Sequence, residues 1–141
     1  MIFSIFCEDH SGKEAHAKVV LIGLGRVGFQ YDENSPQTTL SHFKALTRLS
    51  HILNFEVICI ESDAETRKRF ARKNPQISLY KDVEQFLNIG TSVQLVVIAT
   101  PPDVTPNMIN LLQNSDLISK VLVEKPVAAD IRGLRNIGVS S

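Results

Sequence analysis

Apolar residues gather into five short runs along this chain, and the stretches between them repeat at helical spacing. The runs are Lys18–Gly23, Phe55–Ile60, Ile77–Tyr80, Gln94–Ala99 and Val121–Glu124. Several are continuously apolar instead of alternating, which suits strands covered on both faces, as in a parallel sheet. The segments Ser41–Ser50, Ala64–Asn74, Val83–Asn88, Val104–Gln113 and Asp130–Ile137 predict helices. Asp63, Asp82 and Asp103 stand where an N-cap would accept from the first turn. Strand and helix alternate throughout, so the pattern predicts an α/β fold with a doubly wound parallel sheet in three α-β-α layers. Residues 1–16 read as a loosely held arm and 17–141 as a single domain. The polar stretch DENSPQTTL, Asp32 to Leu40, reads as a surface loop.

Composition narrows the function classes. A chain of 141 residues suits one domain, and 43% apolar with 21% charged residues is the balance of an ordinary globular protein. Fifteen acidic and fifteen basic residues leave no net field to draw in nucleic acid or an anionic membrane. No stretch approaches the ~18 apolar residues of a membrane span. The opening MIFSIFC lacks a basic leader and is a poor secretory signal. Cys7 and Cys59 form neither a disulfide framework nor a metal set, and read as reduced thiols of a cytoplasmic protein.

Candidate chemistry begins at KVVLIGLGRVGFQYD, where Gly23, Gly25 and Gly28 follow the first apolar run directly. A phosphate can accept hydrogen bonds from backbone N–H groups only where side chains leave room, and a helix start offers such groups unpaired. Gly23 would permit the tight turn out of the strand. Gly25 would let a pyrophosphate lie against the chain, and Gly28 would let the following helix pack near the sheet. The reading is thus a Rossmann-like dinucleotide site, with the glycine motif expected to open a helix. No Gly-Lys-Ser/Thr ending is present, which excludes a phosphate-loop nucleotidase. Glu61, closing the second strand, is placed to take the adenosine ribose hydroxyls. Its carboxylate would repel a 2′-phosphate, and no basic residue follows it immediately, so NAD is favoured over NADP. Arg67, Lys68, Arg69, Arg72 and Lys73 lie along one helix and read as its solvated face.

Two further segments, Thr100-Pro101-Pro102 and Glu124-Lys125-Pro126, close predicted strands at the edge where open α/β sheets bind ligands. With GLGRVG, SHFKAL, IESDAETRKRFA, VVIATPPDVTPNMI and VLVEKPVA in this order, the sequence resembles the amino-terminal half of the Gfo/Idh/MocA oxidoreductases over residues 18–137. The resemblance implies NAD(P)-dependent hydride transfer on sugars, cyclitols and related polyols. It implies that Gly23, Gly25, Arg26 and Val27 surround the pyrophosphate and that Glu61 holds the adenosine ribose. Thr100 and Pro101 would line the cofactor cleft, with Glu124, Lys125 and Pro126 flanking the nicotinamide. Lys125 is the expected catalytic group, because oxidation of a carbinol requires a neighbouring proton acceptor. The sequence departs from the family pattern at Thr105, where a histidine is common, and in the insertion Tyr31–Leu40 ahead of Ser41-His42. His42 matches a recurrent family histidine; on the residues alone it is equally a structural hydrogen-bonding group.

In the family a second α/β domain supplies the substrate pocket and further acid-base groups. A chain ending at Ser141 is therefore expected to bind cofactor yet turn over little by itself, as a truncated product or half of a split enzyme. A sugar-like substrate would bind only with a carboxyl-terminal domain supplied. Uncovered apolar surface would favour self-association into a homo-oligomer. The competing reading is a non-catalytic NAD(H)-binding regulatory or interaction module, in which Lys125 has no proton to move.

Overall fold

The computed structural model describes residues 6–8 and 14–138. Five parallel strands form the sheet: β2 (Glu14–Ile22), β3 (Phe55–Ile60), β4 (Ser78–Tyr80), β5 (Leu95–Ile98) and β6 (Val121–Val123), in the order β4-β3-β2-β5-β6. A short β1 (Phe6–Glu8) pairs antiparallel with the start of β2, so part of the segment read as an arm forms a strand. The remainder of residues 1–13 lies outside the described residues. Helices α1 (His42–Leu53), α2 (Ala64–Lys73), α3 (Val83–Leu87), α4 (Thr105–Gln113) and α5 (Ile131–Arg135) alternate with the strands.

The register explains the apolar runs. Val19 and Ile22 of β2 stand beside Val57 and Ile60 on one flank, and beside Leu95 and Ile98 on the other. Successive residues of a strand face opposite ways, and here both faces are covered. Val20, Ile22, Ile58, Ile60, Val96 and Ile98 pack with Val83, Phe86, Ile109 and Leu112 of α3 and α4. Val19, Leu21, Val57 and Cys59 pack on the other face with Phe43, Leu46 and Phe70 of α1 and α2. Phe29, Phe43 and Phe70 meet there edge to face, with centroids 4.9–5.6 Å apart. Cys59 is wholly buried, and burial pushes its thiol up, away from reactive thiolate.

The chain adds β3 and β4 outward on one side of β2, then crosses back to add β5 and β6 on the other. The carboxyl ends of β2 and β5 therefore diverge into separate loops and leave a crevice, which is where open α/β sheets take ligands.

The glycine motif does not open a helix, which corrects the reading from sequence. After Gly25 the chain makes one wide turn, with Phe29 and Gln30 both donating to the Gly25 carbonyl at 2.9 and 3.0 Å. It then enters a short 3-10 turn at Gln30–Asp32 and departs. It returns at α1, where the amides of His42 and Phe43 donate to the carbonyls of Val27 and Gly28 at 2.9 and 2.8 Å. Each of these bonds spans fifteen residues, whereas a continuous helix spans four; the polar loop is an eleven-residue excursion inserted into a helix.

Asp32 closes the base of that excursion. Its carboxylate is 2% exposed and accepts from the Leu40 and Ser41 amides at 2.5 and 2.9 Å and from the Ser41 hydroxyl at 2.5 Å. Lys44 donates to the carbonyls of Asp32 and Ser35, and Arg48 to Pro36 and Thr39. On the outer side, Arg69 and Lys73 of α2 both pair with Glu33 at 3.1 Å. Part of the helix face read as simply solvated thus holds the loop. Burial alone would raise the Asp32 carboxyl, but the Ser41 hydroxyl, the two amides and the Lys44 ammonium offset it and leave it below its ordinary value. A carboxyl lowered in the folded state contributes stability above its unfolded pKa of about 3.9, and that contribution is lost as pH falls through the folded value. Asp32→Asn is therefore expected to lower stability near neutral pH by about 2 kcal/mol and to flatten the acid limb of the stability profile. Urea melts at pH 7 and pH 3 measure both effects; an unchanged acid limb would remove Asp32 from this role.

Asp63, Asp82 and Asp130 cap α2, α3 and α5 through the amides of Thr66, Gln85 and Gly133. Asp103 does not cap α4. Val104 and Thr105 both donate their amides to the Pro101 carbonyl, so a backbone turn starts that helix instead.

Candidate functional site

The crevice at the β2–β5 divergence is a cavity of about 490 Å³. It collects ten of the eleven residues singled out from sequence: Gly23, Gly25, Arg26, Val27, Glu61, Thr100, Pro101, Glu124, Lys125 and Pro126. Gly28 does not line it and lies beneath the turn. A Cβ there would sit on the Gly23 carbonyl oxygen, with the carbonyl carbon 2.9 Å away. Gly23 itself has φ +97°, and a Cβ on it would stand 2.6 Å from the Ala99 carbonyl oxygen. These two glycines let the turn close onto β5. Gly25 differs, because nothing lies within 4 Å of its missing Cβ.

The amides of Gly25, Arg26, Val27 and Gly28 donate to no acceptor among the described residues. They occupy the first turn of what would have been a helix, where no preceding carbonyl is available to them. Three of these residues line the cavity, beside the open space over Gly25. Such a row of N–H groups suits an anion. The amides at the start of α1 cannot take that part, since His42 and Phe43 donate to the turn and Lys44 to the Ser41 hydroxyl.

Glu61 stands on the β3 side. One carboxylate oxygen accepts from the Leu24 amide at 2.7 Å, and the other from the Asp63 amide at 2.9 Å. The carboxylate is thus fixed between the glycine turn and the start of α2, with lone pairs left for hydroxyl donors. Ser62, Thr66 and Lys81 share that end of the cavity. They were not singled out from sequence, although Lys81 follows β4 as Glu61 follows β3, and the strand-end rule could have found it.

Thr100 and Pro101 form the β5 side. Thr105, where the resemblance leads one to expect a histidine, is 1% exposed. Its hydroxyl lies 2.8 Å from the Thr100 hydroxyl and 3.0 Å from the Pro101 carbonyl oxygen. It braces this wall from within and does not reach the cavity.

Glu124, Lys125 and Pro126 close the β6 side, and the Lys125–Pro126 peptide is cis. The Glu124 amide donates to the Ile98 carbonyl at 2.9 Å, which continues the β5–β6 ladder to the cavity rim. Its carboxylate lies 2.8 Å from His42 Nε2. That bond, with the Lys125 amide and the Lys125 charge, holds the Glu124 carboxyl below its ordinary value against the opposing effect of burial. Lys125 is exposed and has no ion-pair partner among the described residues. No group of three or more His, Cys, Asp or Glu that could hold a metal ion occurs among the described residues. No helix among them is long and apolar enough to cross a membrane.

Solved structures share this fold. The WlbA dehydrogenase from Bordetella pertussis, determined in complex with NADH and UDP-GlcNAcA, superposes with a TM-score of 0.63 at 17% identity, over 85% of this chain and 32% of that one. The myo-inositol 2-dehydrogenase from Lactobacillus plantarum gives 0.57 at 17% identity, over 86% and 31%. A dehydrogenase from Chromobacterium violaceum gives 0.57 at 27% identity, again over 86% and 31%. The chain thus spans about a third of the length of these structures. No curated protein matches it. The sequence pattern of the GFO_IDH_MocA oxidoreductase family, NAD-binding Rossmann fold, matches residues 17–138. Glycine turn, strand-end carboxylate and Glu-Lys-Pro rim share one crevice, and across nearly its whole length the chain belongs to that oxidoreductase family, as its NAD-binding domain.

Proposed function

We propose that this chain is the cofactor-binding unit of an oxidoreductase that transfers hydride between NAD and the carbinol carbon of a sugar, cyclitol or related polyol. The observation that carries the reading is the row of undonated amides from Gly25 to Gly28 beside the open space over Gly25. The residues fit a dinucleotide along the whole crevice. The turn would hold the pyrophosphate, and Glu61 the adenosine ribose hydroxyls. A carboxylate there disfavours a third anionic phosphate, hence NAD over NADP. Thr100 and Pro101 would set the ring wall, with Glu124, Lys125 and Pro126 at the nicotinamide end. Bound there, the nicotinamide supplies the hydride acceptor or donor. Lys125 would take the proton from the carbinol oxygen at Nζ, or return it in the reverse direction, since its ammonium or amine reaches the rim unpaired.

The sugar-like substrate is supported by structural neighbours crystallised with a UDP-sugar acid or named for inositol. This chain spans about a third of the length of those neighbours, and the crevice needs a substrate wall from outside it. The buried, unpaired Cys59 agrees with a reducing cytoplasmic setting. Isothermal titration with NADH is expected to show one site per chain, with ADP-ribose competing. Polyol oxidation is expected only after a substrate domain is added. Absence of NADH binding would overturn the reading; binding with no turnover in any such mixture would favour a non-catalytic NAD(H) module.

A further inference from the structure

We propose that His42 is a positioning residue, which holds Glu124 so that Lys125 stays free at the nicotinamide end of the crevice. This rests on the functional reading above, and it concerns a residue that does not itself line the cavity. His42 is tied on two sides. Its backbone amide donates to Val27 of the glycine turn at 2.9 Å, and its Nε2 lies 2.8 Å from Glu124 Oε2. The other oxygen, Oε1, accepts from the Lys125 amide at 3.2 Å. One residue, through its backbone amide and its imidazole, thus connects the turn proposed to receive the phosphates to the strand end that carries the proposed proton carrier.

The physical point is competition for the Glu124 carboxylate. The nearest free cation along the chain is the ammonium of the next residue, Lys125, which has no ion-pair partner among the described residues. A carboxylate released from His42 would turn toward that ammonium, draw it off the cavity rim and present negative charge where the nicotinamide ring must sit. With the imidazole in place, each oxygen has a partner and the lysine head is left to the crevice. Energy gained from the His42–Glu124 pair as a charge pair is small, because the side chains are 24% and 31% exposed. Its effect is geometric, and so it should appear at one end of the cofactor only.

The test titrates wild type, His42→Ala and His42→Gln with NADH and with ADP-ribose, which lacks the nicotinamide ring, while following nicotinamide emission. Alanine keeps the backbone bond to Val27. In His42→Ala, NADH is expected to bind roughly fivefold more weakly, the loss of about one hydrogen bond's worth of placement. Most of the emission change on binding should disappear, and ADP-ribose affinity should hold. Glutamine, whose amide nitrogen can take the place of Nε2, should restore both NADH signals. Unchanged NADH affinity and emission in His42→Ala would overturn the proposal. So would an equal loss for NADH and ADP-ribose, or no rescue by glutamine, since either indicates a general structural role. If wild type binds both ligands and the variants give either of these results, only the role of His42 falls; a wild type that binds neither ligand removes the dinucleotide reading with it.

Discussion

Replacing Gly25 by valine is expected to weaken NADH binding by roughly a hundredfold, equivalent to about 2.7 kcal/mol, with little change in thermal stability. The two effects separate because a Cβ at Gly25 meets nothing within 4 Å. The cost falls on a molecule that needs the space. The branched side chain would stand over the undonated amides and keep a phosphate beyond hydrogen-bonding distance. Isothermal titration and a melting curve on one preparation decide it. NADH affinity within a factor of three of wild type would place the pyrophosphate somewhere else.

Gly28→Ala should do the reverse. Its added methyl would collide with the Gly23 carbonyl, whose residue is held by its amide bond to the Ile60 carbonyl and has no room for a Cβ beside the Ala99 carbonyl. Backbone lies on both sides of this clash, so no rotamer change relieves it. Overpacking of this kind costs about 3 kcal/mol or more, a fall of roughly 10 °C in Tm for a domain of this size. Denaturant and thermal melts measure the loss. A variant as stable as wild type would show that the turn is looser than its bonds indicate. The two outer glycines of the motif thus shape the turn, and the middle one keeps its surface open.

Much of the fold was legible because its strands are covered on both faces and therefore apolar at every position. Phe55–Ile60 was read at its observed bounds, and Lys18–Gly23, Gln94–Ala99 and Val121–Glu124 within a few residues. Residues of the crevice were legible for a related reason: strand ends converge on one edge, so a motif placed at a strand end is placed in the cavity. The failures share a different cause. Nothing periodic marks Val27 and Gly28 as partners of His42 and Phe43, so a helix with an excursion inside it reads as a loop before a helix. His42 and Glu124 stand 82 positions apart, and their bond exists only after β6 has docked beside β5. Asp103 looked like a cap because its residue type is right, yet the Pro101 carbonyl had already taken both amides that begin the turn.

The pair of carbonyl bonds at Val27 and Gly28 makes the intervening loop a side branch of the helical path, held to α1 and α2 through Lys44, Arg48, Arg69 and Lys73. Its stem satisfies itself through Asp32 and Ser41, and its re-entry falls in phase with the helix it interrupts. Residues 31–41 could accordingly be excised, joining Gln30 to His42, with the imidazole still arriving beside Glu124 and the sheet undisturbed. Seen that way, the segment is an appendage spliced into the backbone beside the crevice, clamped at its base by Asp32 and on its flank by Glu33, while the glycine turn below keeps its alignment.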